Sequence, residues 1–140
     1  MKLSGSSSTL LIPLVGRAKS RRLYPSYEFD DPSARETLRQ LDIPLGLSLN
    51  NPFIIKGAVG RTLAFCQELA YFLKKHPKAT GINLGCGLSD YFQWLDNGQN
   101  HWIDADLPEV LKTRRSLMVP HNERHKFLEI SITDPNWWDK

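Results

Sequence analysis

Thr80-Gly81-Ile82-Asn83-Leu84-Gly85-Cys86-Gly87-Leu88-Ser89-Asp90 reads as a short apolar strand that breaks at a Gly-x-Gly turn before a helix. A glycine carries no Cβ and tolerates positive φ, so backbone at such a turn can approach a ligand closely. Downstream, Trp102-Ile103-Asp104-Ala105-Asp106-Leu107-Pro108-Glu109 ends a second strand on acidic residues, each 19 positions after a glycine (Gly85 to Asp104, Gly87 to Asp106). A carboxylate at a strand tip can accept two hydrogen bonds from a ribose diol. The turn and the acids together point to a nucleoside-containing ligand, where a lone Gly-x-Gly would serve packing alone.

The flanking pattern extends this unit in both directions. Upstream, Leu63, Cys66, Leu69, Ala70, Phe72 and Leu73 recur at helical spacing within residues 54–76. Lys74, Lys75 and His76 suit the negative end of that helix, and Pro77 stops it. Downstream, a helix holds Tyr91, Phe92, Trp94 and Leu95, and a turn at Asp96-Asn97-Gly98 leads to the strand at 101–104. A further helix is predicted over Pro108–Leu117 and a third strand over 126–132. This βαβαβ alternation calls for an α/β fold with three parallel strands and right-handed crossovers. Towards the amino terminus, residues 1–8 form a Ser-rich lead-in expected to be disordered. Thr9 is expected to cap a helix over 10–19, where Pro13 is acceptable only in the first turn. An irregular connector follows, then a helix from Asp31 or Pro32 to about Leu41 with Ala34, Leu38 and Leu41 on one face, and a turn-rich stretch at 43–52. The expected organisation is therefore a lead-in at 1–8, a helical cap or lid at 9–60 and a ligand-binding half-domain at 61–140.

Bulk properties exclude several classes. The 140 residues are 41% hydrophobic and 24% charged, enough for one domain with a modest core. A net charge of +3 is too small to argue for nucleic acid. The basic cluster Arg17 to Arg22, beside Tyr24 and Tyr27, reads as a solvated connector or a lid. Cys66 and Cys86 form no C-x-x-C pair and no disulfide framework, which fits a reducing cytoplasm. No apolar run approaches the ~20 residues that span a bilayer. The run Leu10-Leu11-Ile12-Pro13-Leu14-Val15 leads into basic residues rather than a cleavage site, which argues against secretion.

Asp90 decides between ligands. A dinucleotide fingerprint would place a third glycine there, with a pyrophosphate at the helix N-terminus. A carboxylate in that region repels a diphosphate but suits S-adenosylmethionine, whose sulfonium and ammonium groups are cationic; as a bland first-turn acid, Asp90 would bind nothing. Asp104 and Asp106 share parity on an extended strand, so both are expected to face the crevice, with Asp106 favoured for cofactor contact. Asp106 with Glu109 also matches a capping box, and Pro108 suits the first helical turn. His121 and His125, four apart, lack an evident third metal ligand and read as a solvated pair. Trp137 and Trp138 read as packing residues, and Cys86 lacks a base that would make it a nucleophile.

The blocks Asn83-Leu84-Gly85-Cys86-Gly87-Leu88, Asp104-Ala105-Asp106-Leu107-Pro108-Glu109-Val110 and Ser131-Ile132-Thr133-Asp134-Pro135-Asn136-Trp137 resemble the leucine carboxyl methyltransferase family. That family includes polyketide-type O-methyltransferases. Thr9-Leu10-Leu11-Ile12-Pro13-Leu14, Arg17-Ala18 and Asp31-Pro32 are similar to the N-terminal segment of its microbial members. The resemblance covers about the first half of a typical member. It implies the first half of a Rossmann-like methyltransferase fold, S-adenosylmethionine as cofactor, and transfer of a methyl group to a carboxylate or hydroxyl oxygen of a small molecule or protein terminus.

Position by position, the resemblance implies that the glycine turn, Gly85 and Gly87, approaches the methionine part and that Asp106 is the ribose-binding acid; Asn83 and Asp104 are further candidate cofactor contacts. It further implies that Arg61 pairs with the cofactor carboxylate and that Ser131 and Ile132 touch the adenine. Leu88-Ser89-Asp90-Tyr91 departs from the family's Gly-Leu-Asp-Thr-Arg continuation: the acid is displaced by one residue and the arginine is absent. No catalytic base can be named, and this stretch by itself is expected to show no turnover. The expected partners are a methyl acceptor, neither nucleic acid nor membrane, and another copy through the unpaired edge of the first strand. A dinucleotide-binding module and a non-catalytic interaction module remain alternative readings.

Overall fold

The computed structural model describes residues 7–41 and 51–139; the lead-in up to residue 6 and the turn-rich stretch at 42–50 lie outside the described residues. The chain forms α1 (Ser7–Leu23), a 3-10 turn (Pro25–Tyr27), α2 (Pro32–Leu41), α3 (Pro52–Lys75), β1 (Thr80–Leu84) and α4 (Phe92–Leu95). These are followed by β2 (His101–Asp106), α5 (Pro108–Leu117), β3 (His125–Glu129) and a 3-10 turn (Trp137–Asp139). The contacts divide the chain into two units, Met1–Glu68 with Leu88–Asp90, and Leu69–Gly87 with Tyr91–Lys140. No helix among the described residues is long and apolar enough to cross a membrane.

In the first unit α1 begins earlier and ends later than its sequence suggests, and Pro13 lies inside it. A proline there removes one helical hydrogen bond. Burial of Leu11, Leu14 and Val15 offsets that loss, each such side chain contributing about 1.5–3 kcal/mol. α2 buries Ala34, Thr37 and Leu41 along one stripe. Asp31 caps this helix, its Oδ1 accepting from the Ala34 N–H at 2.8 Å. Arg17, expected in a solvated connector, is instead buried at 3% exposure and pairs with Asp31 at 2.8 Å. A long side chain three residues beyond buried Leu14 follows the same helix face inward, and the buried acid compensates its charge.

In the second unit the three strands form one open parallel sheet in the order β1-β2-β3, as the βαβαβ pattern predicts for half of a Rossmann-like α/β fold. Trp102 of β2 packs with Leu73, Phe92 and Leu95, and Leu69, Ala79 and Tyr91 close over that cluster. The indole occupies the space above Gly81, where an added Cβ would stand 2.3 Å from two ring carbons. Two alignments follow from the register: Asn83 stands opposite Asp104, and Trp102 stands opposite His125. Among the described residues β1 pairs on one side only, and its Ile82 and Leu84 are exposed. β3 ends at Glu129 rather than at residue 132. Ile130 N–H still reaches Asp106 O at 2.9 Å, after which a turn bonds Asp134 N–H to Ser131 O at 3.0 Å. Trp137 and Trp138 stack on each other at 3.9 Å, and Trp138 is exposed rather than packed into a core.

Candidate functional site

Two strands ending side by side in parallel bring the glycine turn after β1 against the acidic end of β2. Gly85 and Gly87 take φ of 68° and 52°, the left-handed region where a Cβ meets the following carbonyl. Backbone from β2 latches the turn: Ala105 O accepts from Gly85 N–H at 2.9 Å and from Cys86 N–H at 3.2 Å. Asp106 adds a third tie, its Oδ2 accepting from Gly87 N–H at 2.8 Å. Its Oδ1 accepts from Leu107 N–H at 2.8 Å.

This arrangement displaces the capping box expected from Asp106 and Glu109. Asp106 is still the last residue of β2, and α5 takes the extended Leu107 as its N-cap residue without a side-chain cap. Pro108 opens the helix as expected. The Asp106 carboxylate therefore serves the glycine turn. Each of its oxygens has accepted one backbone N–H and retains further acceptor capacity, and the residue is only half-buried. Gly85 is exposed, with nothing within 4 Å of the position a Cβ would occupy. Open space beside Gly85 and a partly free carboxylate fit a molecule that presents hydroxyl donors near a turn of backbone.

Asp104 has the same parity but a different environment. It is fully buried, and its two oxygens meet four donors. Oδ1 accepts from Asn83 Nδ2 at 2.9 Å and from Trp102 Nε1 at 3.1 Å. Oδ2 accepts from Arg114 Nη2 at 2.5 Å and lies 2.8 Å from His125 Nε2. The register supplies these neighbours: Asn83 comes from the paired position on β1, and His125 from the residue opposite Trp102 on β3. Arg114 enters from α5, its guanidinium 4.8 Å from the Phe127 ring, and Phe127 is the β3 partner of Asp104. Asp104 is thus a strut beneath the turn, and Asn83 faces this strut too.

Burial alone would raise the Asp104 pKa, but the His125 hydrogen bond, the Arg114 charge and the Asn83 hydrogen bond together hold it below its ordinary value. His125 is buried rather than solvated, and its Nδ1 accepts from His121 N–H at 3.2 Å. That acceptor role assigns the ring proton to Nε2, which donates to Asp104. Burial, reinforced by Asp104 and Asp106 and opposed by Arg114, pushes the Cys86 thiol up to about 12. Cys86 therefore remains a thiol inside the turn, with no nucleophilic character.

The remaining candidates are placed as follows. Ser131 and Ile132 lie just past the Ile130–Asp106 ladder bond, so they continue the β3 end beside the Asp106 end of β2. Ser131 is half-buried and Ile132 exposed, an apolar side chain available to a flat ring. Arg61 is exposed on α3 in the first unit. Arg17 Nη2, also in the first unit, donates to Leu88 O at 2.7 Å. The sequence reading missed Arg114 as a member of the site. Its one signal is its place three residues beyond Leu111 on the buried face of α5, where a solvated arginine does not belong.

No family model matches the chain, and no solved structure matches it. The chain is similar to the tetracenomycin polyketide synthesis O-methyltransferase TcmP of Streptomyces glaucescens, at 29% identity over 140 residues, covering 99% of this chain and 51% of that protein. It is also similar to the S-adenosyl-L-methionine-dependent methyltransferase dpfgK of Gibberella zeae, at 31% identity over 150 residues, covering 96% of this chain and 49% of that protein. The chain spans about half the length of the curated relatives it matches.

Proposed function

We propose that this chain binds S-adenosylmethionine as part of an O-methyltransferase that acts on a carboxylate or hydroxyl oxygen. The observation that carries the reading is the Asp106 carboxylate, tied to the Gly87 N–H at the carboxyl end of β2 with acceptor capacity to spare. The activities for which the two relatives are named support the same reading. When bound, S-adenosylmethionine supplies an electrophilic methyl group on a cationic sulfur.

The protein's own contribution is binding and orientation. Asp106 accepts the ribose hydroxyls, and Gly85 lets backbone approach the methionine part. Ile132 offers an apolar surface to the adenine, with Ser131 next to it. Asn83 and Asp104, expected as contacts from the sequence, act in this reading from beneath the site, because Asp104 is fully buried. Holding the donor rigidly is the main service a methyltransferase performs for an in-line displacement.

Calorimetric titration with S-adenosylhomocysteine tests the reading. The chain should bind it, and Asp106→Ala should weaken binding by roughly 10- to 200-fold, the loss of hydrogen bonds worth about 1.5–3 kcal/mol to a charged acceptor. Unchanged affinity in Asp106→Ala removes the ribose assignment. Binding of NAD in place of S-adenosylhomocysteine removes the methyltransferase reading in favour of a dinucleotide module.

A further inference from the structure

We propose that Arg114 is a positioning residue for the cofactor turn, holding Gly87 in the one conformation that presents Asp106 to a ribose; the inference rests on the cofactor reading above. Both polar groups of Gly87 are engaged from opposite sides. Its N–H donates to Asp106 Oδ2 at 2.8 Å, and its carbonyl accepts from Arg114 Nη1 at 3.0 Å. The residue between these ties is a glycine at φ of 52°, free by its own sterics to take other conformations, so the two ties are what fix it.

Arg114 can hold that carbonyl because it is itself immobilised. Its other terminal nitrogen, Nη2, donates to Asp104 at 2.5 Å, and both residues are fully buried. One rigid planar fork thereby spans a carboxylate on β2 and a carbonyl on the turn. Asp104 cannot swing away, since Asn83, Trp102 and His125 occupy its remaining acceptor positions. The route runs from all three strands through one guanidinium to one peptide carbonyl. A lysine ammonium is a single point on a flexible stem and keeps the charge pair but not the span.

Arg114→Lys tests this by amide hydrogen exchange and by S-adenosylhomocysteine titration on the same chain. The Gly87 amide should exchange about tenfold faster, as expected for a hydrogen-bonded restraint worth about 1.4 kcal/mol, while Ile103 and Ala105 in β2 keep parental rates. Affinity for S-adenosylhomocysteine should fall about tenfold, and Arg115→Lys, at the neighbouring exposed arginine, should change neither reading. Equal acceleration of all sheet amides would reduce Arg114 to a purely structural ion pair and overturn the proposal. Faster Gly87 exchange with unchanged affinity would overturn it too. Absence of binding by the parent chain would instead sink the cofactor reading, leaving the exchange data to judge the clamp by itself. If Arg114→Lys does not fold, the parent decides: slowly exchanging Arg114 guanidinium protons with an NOE to Gly87 support the clamp, and a freely rotating guanidinium refutes it.

Discussion

Asp104 and Asp106 stand two residues apart on one face of β2 and meet opposite environments. Asp104 is enclosed by four donors, whereas Asp106 stays half-exposed at the strand tip. Period-two alternation identified the face they share but not the depth of each, which depends on α5 folding back over the sheet. The consequence is a pH dependence with a definite sign. The His125 hydrogen bond, Arg114 and Asn83 outweigh burial and hold Asp104 below its ordinary 3.8; a hydrogen bond from Arg124 holds Asp96 at about 2. A carboxylate with a lower pKa in the folded state stabilises the fold above its unfolded value, and that stability is lost as pH falls through the folded value. Thermal melts followed by tryptophan fluorescence should therefore be insensitive to these two groups above pH 3.8 and decline below it, the share of Asp96 being lost as pH falls through about 2, with a shallower decline in Asp96→Asn. A melting temperature independent of pH across that interval would contradict the assignment.

Between elements, β1 and β2 fit closely where Gly81 leaves room for the Trp102 indole. Gly81→Ala drives a Cβ to 2.3 Å from ring carbons that are themselves packed against Leu73, Phe92 and Leu95. Overpacking of this kind costs about 1–3 kcal/mol, so the variant should melt several degrees below the parent. Gly60→Ala is the contrasting case, because nothing lies within 4 Å of its added Cβ on α3. It should leave the melting temperature unchanged or raise it, by up to about 1 kcal/mol of helix propensity. A melting temperature unchanged by Gly81→Ala would show that the indole does not rest on β1. The order of these elements was legible because it rests on local signals: apolar runs, a glycine turn, Pro77 and Pro108. Element ends were less so. α1 passes through Pro13 because buried Leu11, Leu14 and Val15 outweigh one lost hydrogen bond, and that burial depends on tertiary packing.

At the scale of the molecule, the α/β class and the place of the glycine turn beside Asp106 could be read from the chain, since consecutive parallel strands bring their carboxyl ends together. The buried arginines could not. Arg17 and Arg114 reach Asp31 and Asp104 from distant positions, and a charged side chain on a helix ordinarily reads as solvated. Sequence therefore showed where the glycine turn meets Asp106 and concealed the buried arginines that brace the two units from within. The bend at Gly85 and Gly87, together with Asp106, is proposed to receive an adenosine-bearing sulfonium compound. Mapping amide chemical-shift changes on titration with S-adenosylhomocysteine, with NAD in parallel, tests it most directly. Saturable changes are expected at Gly85, Gly87, Leu107, Ser131 and Ile132 with S-adenosylhomocysteine, and none there with NAD. Silence at those amides with S-adenosylhomocysteine, or the same changes with NAD, would contradict it.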